Sequence, residues 1–365
     1  MGRKQKLWRN RHKDTVFFRQ FSELNWQNKC DIIAQICVNT YSGADMITMT
    51  EIARLTQVSQ PTVSRVLNGS KTVAPEIRER VLACARAHDY QFNALARSLQ
   101  GSRTNLLGVI LNDISNSFFA DLEREIEARA RDRGYSIILF NSELDPIRQL
   151  ECLDVLRRYR VDGLLITPTL SDAERWSEFV SKLDIPTVMI TMHVDGFDSV
   201  YLDHEQTGGK IARHLAERGY ERFVFVGQSF DEKYIGYARE LESMGIETVC
   251  IPYENDSRFR SSLEEHLSRP GPRTGIFAHN DMCAVRVLRA LWDMRLRVPE
   301  DAGLIGFDDT SMCRYLRPSL SSIIQPIAQM VDEAITRLFY RIDHPGEADF
   351  LDLPLQATLI LREST

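Results

Sequence analysis

From Ser59 to Asn68 the chain reads Ser-Gln-Pro-Thr-Val-Ser-Arg-Val-Leu-Asn. On a helix, Pro61, Ser64, Arg65 and Asn68 fall at i, i+3, i+4 and i+7 and share one face, while Val63, Val66 and Leu67 share another. The first face offers short polar groups and one guanidinium. Small donors and acceptors let a helix enter a DNA major groove, and a guanidinium bonds a guanine edge or a phosphate. The same spacing also suits an amphipathic helix on an ordinary core, so the pattern alone leaves both readings open.

Reading DNA would require neighbours that hold this helix rigidly. Upstream, Thr48 or Thr50 can cap a first helix whose apolar side is Ile52, Ala53 and Leu55, and Val58 sits in the turn. Ser59 is a good N-cap for the second helix, and Pro61 falls in its first turn, where a missing N–H costs nothing. Pro75 to His88 forms a third helix with a stripe of Ile77, Val81, Leu82 and Ala85. Charge agrees with a DNA-facing front. Residues 1–103 carry 16 Lys+Arg against 8 Asp+Glu, and the rest carries 29 against 43. A basic front on an acidic body meets a polyanion with one end only.

Past Thr104 the pattern changes. Apolar runs at 106–111, 135–140, 162–167, 185–190, 222–227, 248–253, 275–280 and 303–308 alternate with helical stretches, among them 117–133, 145–160 and 171–183. Continuous apolar strands between amphipathic helices indicate α/β architecture with parallel sheets covered on both faces. There are too many units for one small sheet, so two Rossmann-like subdomains are expected. Ligands in such folds sit beyond the carboxyl ends of strands.

Several chemistries find no support. The seven cysteines (Cys30, Cys37, Cys84, Cys152, Cys250, Cys283, Cys313) make no CxxC pair, which fits a reducing, cytoplasmic setting better than a disulfide framework or a zinc site. Gly208-Gly209 and Gly303-Leu-Ile-Gly306 fit no phosphate-loop template and are expected to allow close strand–helix approach. No GxSxG elbow or HExxH pair appears, so catalysis, a metal and a cofactor are not expected. No apolar run approaches a membrane span and no signal-peptide pattern precedes the body.

The string Thr-Met-Thr-Glu-Ile-Ala-Arg-Leu-Thr-Gln-Val-Ser-Gln-Pro-Thr-Val-Ser-Arg-Val-Leu-Asn-Gly, residues 48–69, closely resembles the start of the lactose/galactose repressor (LacI/GalR) family, and the likeness extends to about Leu361. It implies an all-α helix-turn-helix headpiece over 46–92, a hinge helix and linker over 93–103, and a periplasmic-binding-protein-like effector and dimerisation domain over 104–365. Residues 1–45 fall outside it. They read as a DNA-contacting arm, a small helical appendage or the product of an upstream start, with Met46 or Met49 as the natural beginning. The last is favoured, together with a leader dispensable for operator binding. In the major groove the resemblance puts Gln60, Pro61, Thr62, Ser64 and Arg65, with Thr48, Ser59 and Asn68 on phosphate or at the groove's edge. The hinge contributes Asn93, Ala96 and Leu99, the leucine wedging into the minor groove of bent DNA. Two departures stand out: Phe92 replaces the family's Pro, and Thr56-Gln57 replaces Ala-Gly in the turn, so Gln57 must take a backbone shape easier for Gly.

For the effector cleft the resemblance implies Phe118 and Phe119 as packing side chains and Asp281, in His279-Asn280-Asp281, as the hydrogen-bonding carboxylate. Asp203, Tyr253 and Gln325 are further cleft candidates at strand ends. Lys233 stands where the family has Arg, three residues before Gly236-Tyr237, after a loop about four residues shorter than usual by that comparison. Lys cannot make Arg's bidentate fork, which leaves an anionic effector, a differently bound one, or none. The function this implies is a transcription regulator, most simply a repressor of a carbohydrate-utilisation operon. It would bind palindromic operator DNA as a homodimer, under control of a sugar or sugar phosphate. A sugar-binding module with no regulatory role is the alternative, and the headpiece argues against it.

Overall fold

The computed structural model describes residues 47–67, 72–88, 90, 103–169, 179, 182–253, 256–267, 272–347 and 349–365. The leader 1–45, Asn68 and the hinge positions Asn93, Ala96 and Leu99 lie outside the described residues. The chain divides into two compact units, Met1–Ala94 and Leu95–Thr365.

In the first unit, α1 (Met49–Thr56) and α2 (Gln60–Leu67) flank a turn and α3 (Pro75–Ala87) closes the bundle. Thr48 caps α1, its Oγ1 accepting from the Glu51 N–H at 3.2 Å. Gln57 ends α1 in the left-handed region at φ 53°, ψ 41°, the shape expected of a residue standing in for Gly. Ile52, Ala53, Val63, Val66, Val73, Val81 and Ala85 form the core. Leu55 departs from expectation and is exposed. Thr56 is buried in its place, its hydroxyl satisfied by the Ile52 carbonyl at 2.6 Å.

The second unit runs β1 (Leu106–Leu111), α4 (Ser117–Asp132), β2 (Ser136–Asn141), α5 (Pro146–Tyr159), β3 (Gly163–Ile166), β4 (Thr187–Thr191) and β5 (Asp198–Leu202). It continues with α6 (His204–Glu217), β6 (Arg222–Val226), α7 (Glu232–Ser243), β7 (Thr248–Ile251), α8 (Asp256–Leu267), β8 (Thr274–Ala278), α9 (Asp281–Asp293) and β9 (Ala302–Asp308). β10 (Ser321–Ile324), α10 (Ile327–Asp343), β11 (Asp352–Leu355) and β12 (Thr358–Ile360) complete it. One sheet has the order β11-β5-β4-β3-β1-β2 and the other β12-β10-β9-β8-β6-β7. Every pairing is parallel except β10 with β12. The two subdomains are thus as expected, and the chain passes between them three times, after β5, β10 and β11.

Alternation along each strand decides which layer it meets. On β6, Phe223 and Phe225 face the layer containing Leu215, Tyr237 and Leu241 of α6 and α7. Val224 and Val226 face Phe259, Leu263 and Val287 of α8 and α9. In the first subdomain, Leu122 and Ile126 of α4 and Ile335 and Leu338 of α10 cover one side. Leu150, Leu153 and Leu156 of α5 cover the other, with Phe179.

The glycine pairs do different work from each other. A Cβ on Gly306 would lie 2.3 Å from Asp281 Oδ1 on α9, the expected strand–helix approach. A Cβ on Gly208 would lie 2.1 Å from the Lys233 carbonyl oxygen, so this glycine serves the crossing of α6 with α7 instead. That crossing sets the depth of Lys233.

Candidate functional site

The headpiece presents the side chains read from the sequence. Gln60, Pro61 and Arg65 are exposed, and Thr62 and Ser64 are partly so. Ser59 starts α2 as expected, its Oγ accepting from the Thr62 N–H at 3.3 Å. Arg65 lies back along its own helix, Nε donating to the Pro61 carbonyl at 3.3 Å and Nη2 to Thr62 Oγ1 at 3.4 Å. These are long, exposed contacts that a guanine edge or a phosphate can replace with stronger, charge-assisted ones.

In the second unit, the carboxyl ends of β1, β6, β8, β9 and β10 bring polar groups together around Asp308. Asn116, in the loop after β1, donates from Nδ2 to Asp308 Oδ2 at 3.0 Å, bridging the subdomains. Gln325, just past β10, donates from Nε2 to Asp308 Oδ1 at 2.8 Å. Burial pushes the Asp308 carboxyl up to about 6, against the opposing pull of Lys233 and the Asn116 hydrogen bond. Beside it, the Lys233 ammonium lies 4.5 Å from the centroid of the Phe307 ring and donates to the His279 carbonyl at 3.3 Å. Its counter-charge is Asp231, 3.9 Å away, which also hydrogen-bonds His279 Nδ1. Burial would raise Asp231, but Lys233 and His279 outweigh it and hold that carboxyl well below the usual range. Burial, aided by Lys233, pushes the His279 imidazole down, against the opposing pull of Asp231. His279 stacks on Tyr253 with ring centroids 5.8 Å apart.

Of the residues read from the sequence, Lys233, Tyr253 and Gln325 therefore join this cluster. Phe118 is buried in the core, and Phe119 packs edge-on against it at 5.1 Å while remaining partly exposed. Asp203 caps α6, accepting from the Gln206 N–H at 2.8 Å. Asp281 is turned into its own subdomain. It is 1% exposed, and its two oxygens accept from the Thr310 N–H at 2.7 Å and Ser322 Oγ at 2.5 Å. The carboxylate at the centre of the cluster is instead Asp308. Sequence reading passed over it, along with Asn116, Asp231 and His279. The signal for Asp308 was present, since it is the last residue of the Gly303–Asp308 strand run and strand ends carry ligands. Asp231 and His279 gave none, because they are 48 positions apart in the chain.

Residues 48–93 match the family described as bacterial regulatory proteins, lacI family. Residues 212–365 match the periplasmic binding protein-like domain. The ribose operon repressor of Escherichia coli (strain K12) is 32% identical over 330 residues, covering 87% of this chain and 99% of that protein. The Lac repressor dimer bound to operator and the anti-inducer ONPF aligns with a TM-score of 0.76 at 22% identity, over 87% of this chain and 98% of the other. A LacI family regulator from Enterococcus faecium with bound ribose aligns with a TM-score of 0.61 at 27% identity, over 71% of this chain and 98% of the other.

Proposed function

The chain belongs to the lacI family of bacterial regulatory proteins, and on that premise we propose that it is a cytoplasmic repressor that binds operator DNA as a homodimer and answers to an uncharged sugar. The observation that carries this reading is the pairing, in one chain, of an exposed Gln60–Arg65 helix face with a carboxylate-centred cluster at strand ends. The first reads DNA; the second senses a small molecule. Coupling between them is a free energy shared by two sites. The domain division is proposed as 46–92 for the headpiece, 93–103 for the hinge and 104–365 for the effector domain, with Asn93, Ala96 and Leu99 in the hinge on DNA.

Charge selects among effectors. Lys233 is already neutralised by Asp231, and Asp308 adds negative charge above about pH 6. An anionic phosphosugar would therefore meet net repulsion, whereas hydroxyls can donate to Asp308 and accept from the amides of Asn116 and Gln325. Phe119 and the Tyr253–His279 stack supply apolar faces for a sugar ring. The role assigned from the sequence to Asp281 passes to Asp308. Asp203 and Phe118 serve the framework.

Two measurements test this. D-ribose, the ligand of the Enterococcus relative, is expected to raise the melting temperature of the full chain by a few degrees at about 100 times its Kd. D-ribose 5-phosphate is expected to leave it unchanged. Stabilisation by the phosphosugar alone would overturn the charge argument. At the other end, Arg65→Ala is expected to weaken operator binding by about 1–3 kcal/mol and relax specificity. Gel-shift titration on a selected operator, showing undiminished affinity, would remove Arg65 from the interface.

A further inference from the structure

Three consecutive residues lead into β1, and three separate parts of the first subdomain hold them. Thr104 donates from its N–H to Asp162 Oδ1 at 2.9 Å, and its hydroxyl donates to the Arg160 carbonyl at 2.9 Å. Asn105 donates from its N–H to Asp162 Oδ2 at 2.8 Å and from Nδ2 to the Gly134 carbonyl at 3.2 Å. Arg103 is held by the end of α10 instead. Its Nη2 donates to Asp343 Oδ1 at 2.5 Å and to the Ile342 carbonyl at 3.3 Å. The last carbonyls of a helix lack partners within it and form its negative end, so both the terminus of α10 and its final carboxylate favour a cation there.

These contacts differ in what they contribute. Asp162 satisfies backbone donors where β1 begins, and Thr104 is 7% exposed, so that set belongs to the fold. The Arg103 and Asp343 side chains are 50% and 52% exposed, and an ion pair in that setting adds little to stability. Yet it joins positions 240 apart in the chain. It also seats the residue at the linker's end on a 17-residue helix that packs against α4, β3, β4 and β5.

We propose that the Arg103–Asp343 pair anchors the linker for operator binding, fixing the point at which the linker leaves the effector domain. Asp343 is then a positioning residue for DNA recognition, although it carries the charge that DNA repels. In a dimer, two such points help set the separation of the headpieces, and both headpieces reach their half-sites only when that separation matches the half-site spacing. Releasing Arg103 frees a residue of chain at each linker, and ordering it again on DNA weakens binding. Charge alone gives the opposite result, since removing a carboxylate leaves affinity for a polyanion unchanged or raises it. This role presupposes the operator binding described above.

The test uses the full chain and a DNA site that the wild type selects from a random pool. Asp343→Ala removes the acceptor and is expected to bind that site about tenfold more weakly in a gel-shift titration. Its melting temperature is expected to stay within about 2 °C of the wild type. Asp343→Glu keeps a carboxylate and is expected to bind as the wild type does. Trypsin reports the anchor without DNA. Cleavage after Arg103, read by mass spectrometry as a fragment beginning at Thr104, is expected to be several-fold faster in Asp343→Ala than in the other two proteins. A wild type that selects no site would overturn the repressor reading and this role together. Undiminished binding by folded Asp343→Ala beside a wild type that binds, or equal cleavage rates in all three proteins, overturns the anchor alone.

Discussion

Asp198→Ala is expected to lower the stability of the effector domain by about 3–5 kcal/mol, the range for removing one partner from a buried charge cluster. Asp198 opens β5 and is 1% exposed. It accepts from Arg337 Nε at 2.8 Å, from Arg341 Nε at 2.5 Å and from the Leu351 N–H at 2.7 Å. Arg341 is itself 9% exposed, so deletion orphans a buried guanidinium. Both arginines also donate to backbone carbonyls of the segment leading into β11, at Glu347 and Asp349. The cluster therefore pins α10, β5 and β11 to one another, and α10 begins two residues after Gln325. The cost lies in orphaning the charges, not in any large net gain from the ion pairs. Burial works to raise the Asp198 carboxyl, but the arginines and Leu351 win and hold it below the usual range. A depressed folded value adds stability above the ordinary carboxylate range and loses it as the pH falls through that folded value. The gap between wild type and Asp198→Ala should accordingly be full at pH 7 and shrink below about pH 4. Urea denaturation at both pH values measures it. A variant within 1 kcal/mol of wild type at pH 7 would contradict the assignment.

Gly236→Ala is expected to cost about 3 kcal/mol and to abolish D-ribose stabilisation. Its Cβ would stand 1.9 Å from the Glu205 carbonyl oxygen and 2.6 Å from Glu205 Cα, which are backbone atoms that cannot rotate away. To admit it, α7 must withdraw from α6. Lys233 lies one turn earlier on α7 and Asp231 is its N-cap, so the cluster around Asp308 is displaced with the helix. Gly219→Ala supplies the contrast. That glycine has φ 79° but nothing within 4 Å of a new Cβ, so the expected penalty is about 1–2 kcal/mol of backbone strain, with the ligand response retained. Equal losses of ligand response in the two variants would show that the α6–α7 crossing does not set the site.

Much of the headpiece was legible because its chemistry is local. Thr48, Ser59 and Pro61 act within one turn of themselves, and Arg65 shares a face with Pro61 by helical period alone. The left-handed Gln57, at φ 53°, was expected from the family resemblance, which puts Gly at that position of the turn. Leu55 was misplaced because three helices leave room for a single inward stripe, and which neighbour fills it depends on the crossing. The parallel strands β1, β2, β3, β4, β6, β7, β8 and β9 were visible as continuous apolar runs. By contrast β11 and β12 were not, with only four and three residues drawing their pairing from distant edges.

The sequence by itself determined the kind of molecule: a helix-turn-helix ahead of two parallel-sheet subdomains, with Lys233 marking where it departs from its relatives. Periodicity, capping and motif are properties of neighbours along the chain, and they survive without coordinates. Only the tertiary structure decided which carboxylate stands among Lys233, Asn116 and Gln325. Asp308 ends β9, and Asp281 lies three residues past β8. Which one turns inward depends on Gly306 leaving space for Asp281 and on Thr310 and Ser322 supplying its hydrogens. It likewise decided that Lys233 is balanced by Asp231 and that Asn116 meets Asp308, 192 residues away. Those partnerships depend on three chain crossings and a glycine-lined helix contact, whose effect on a charge is felt through space and leaves no spacing to read.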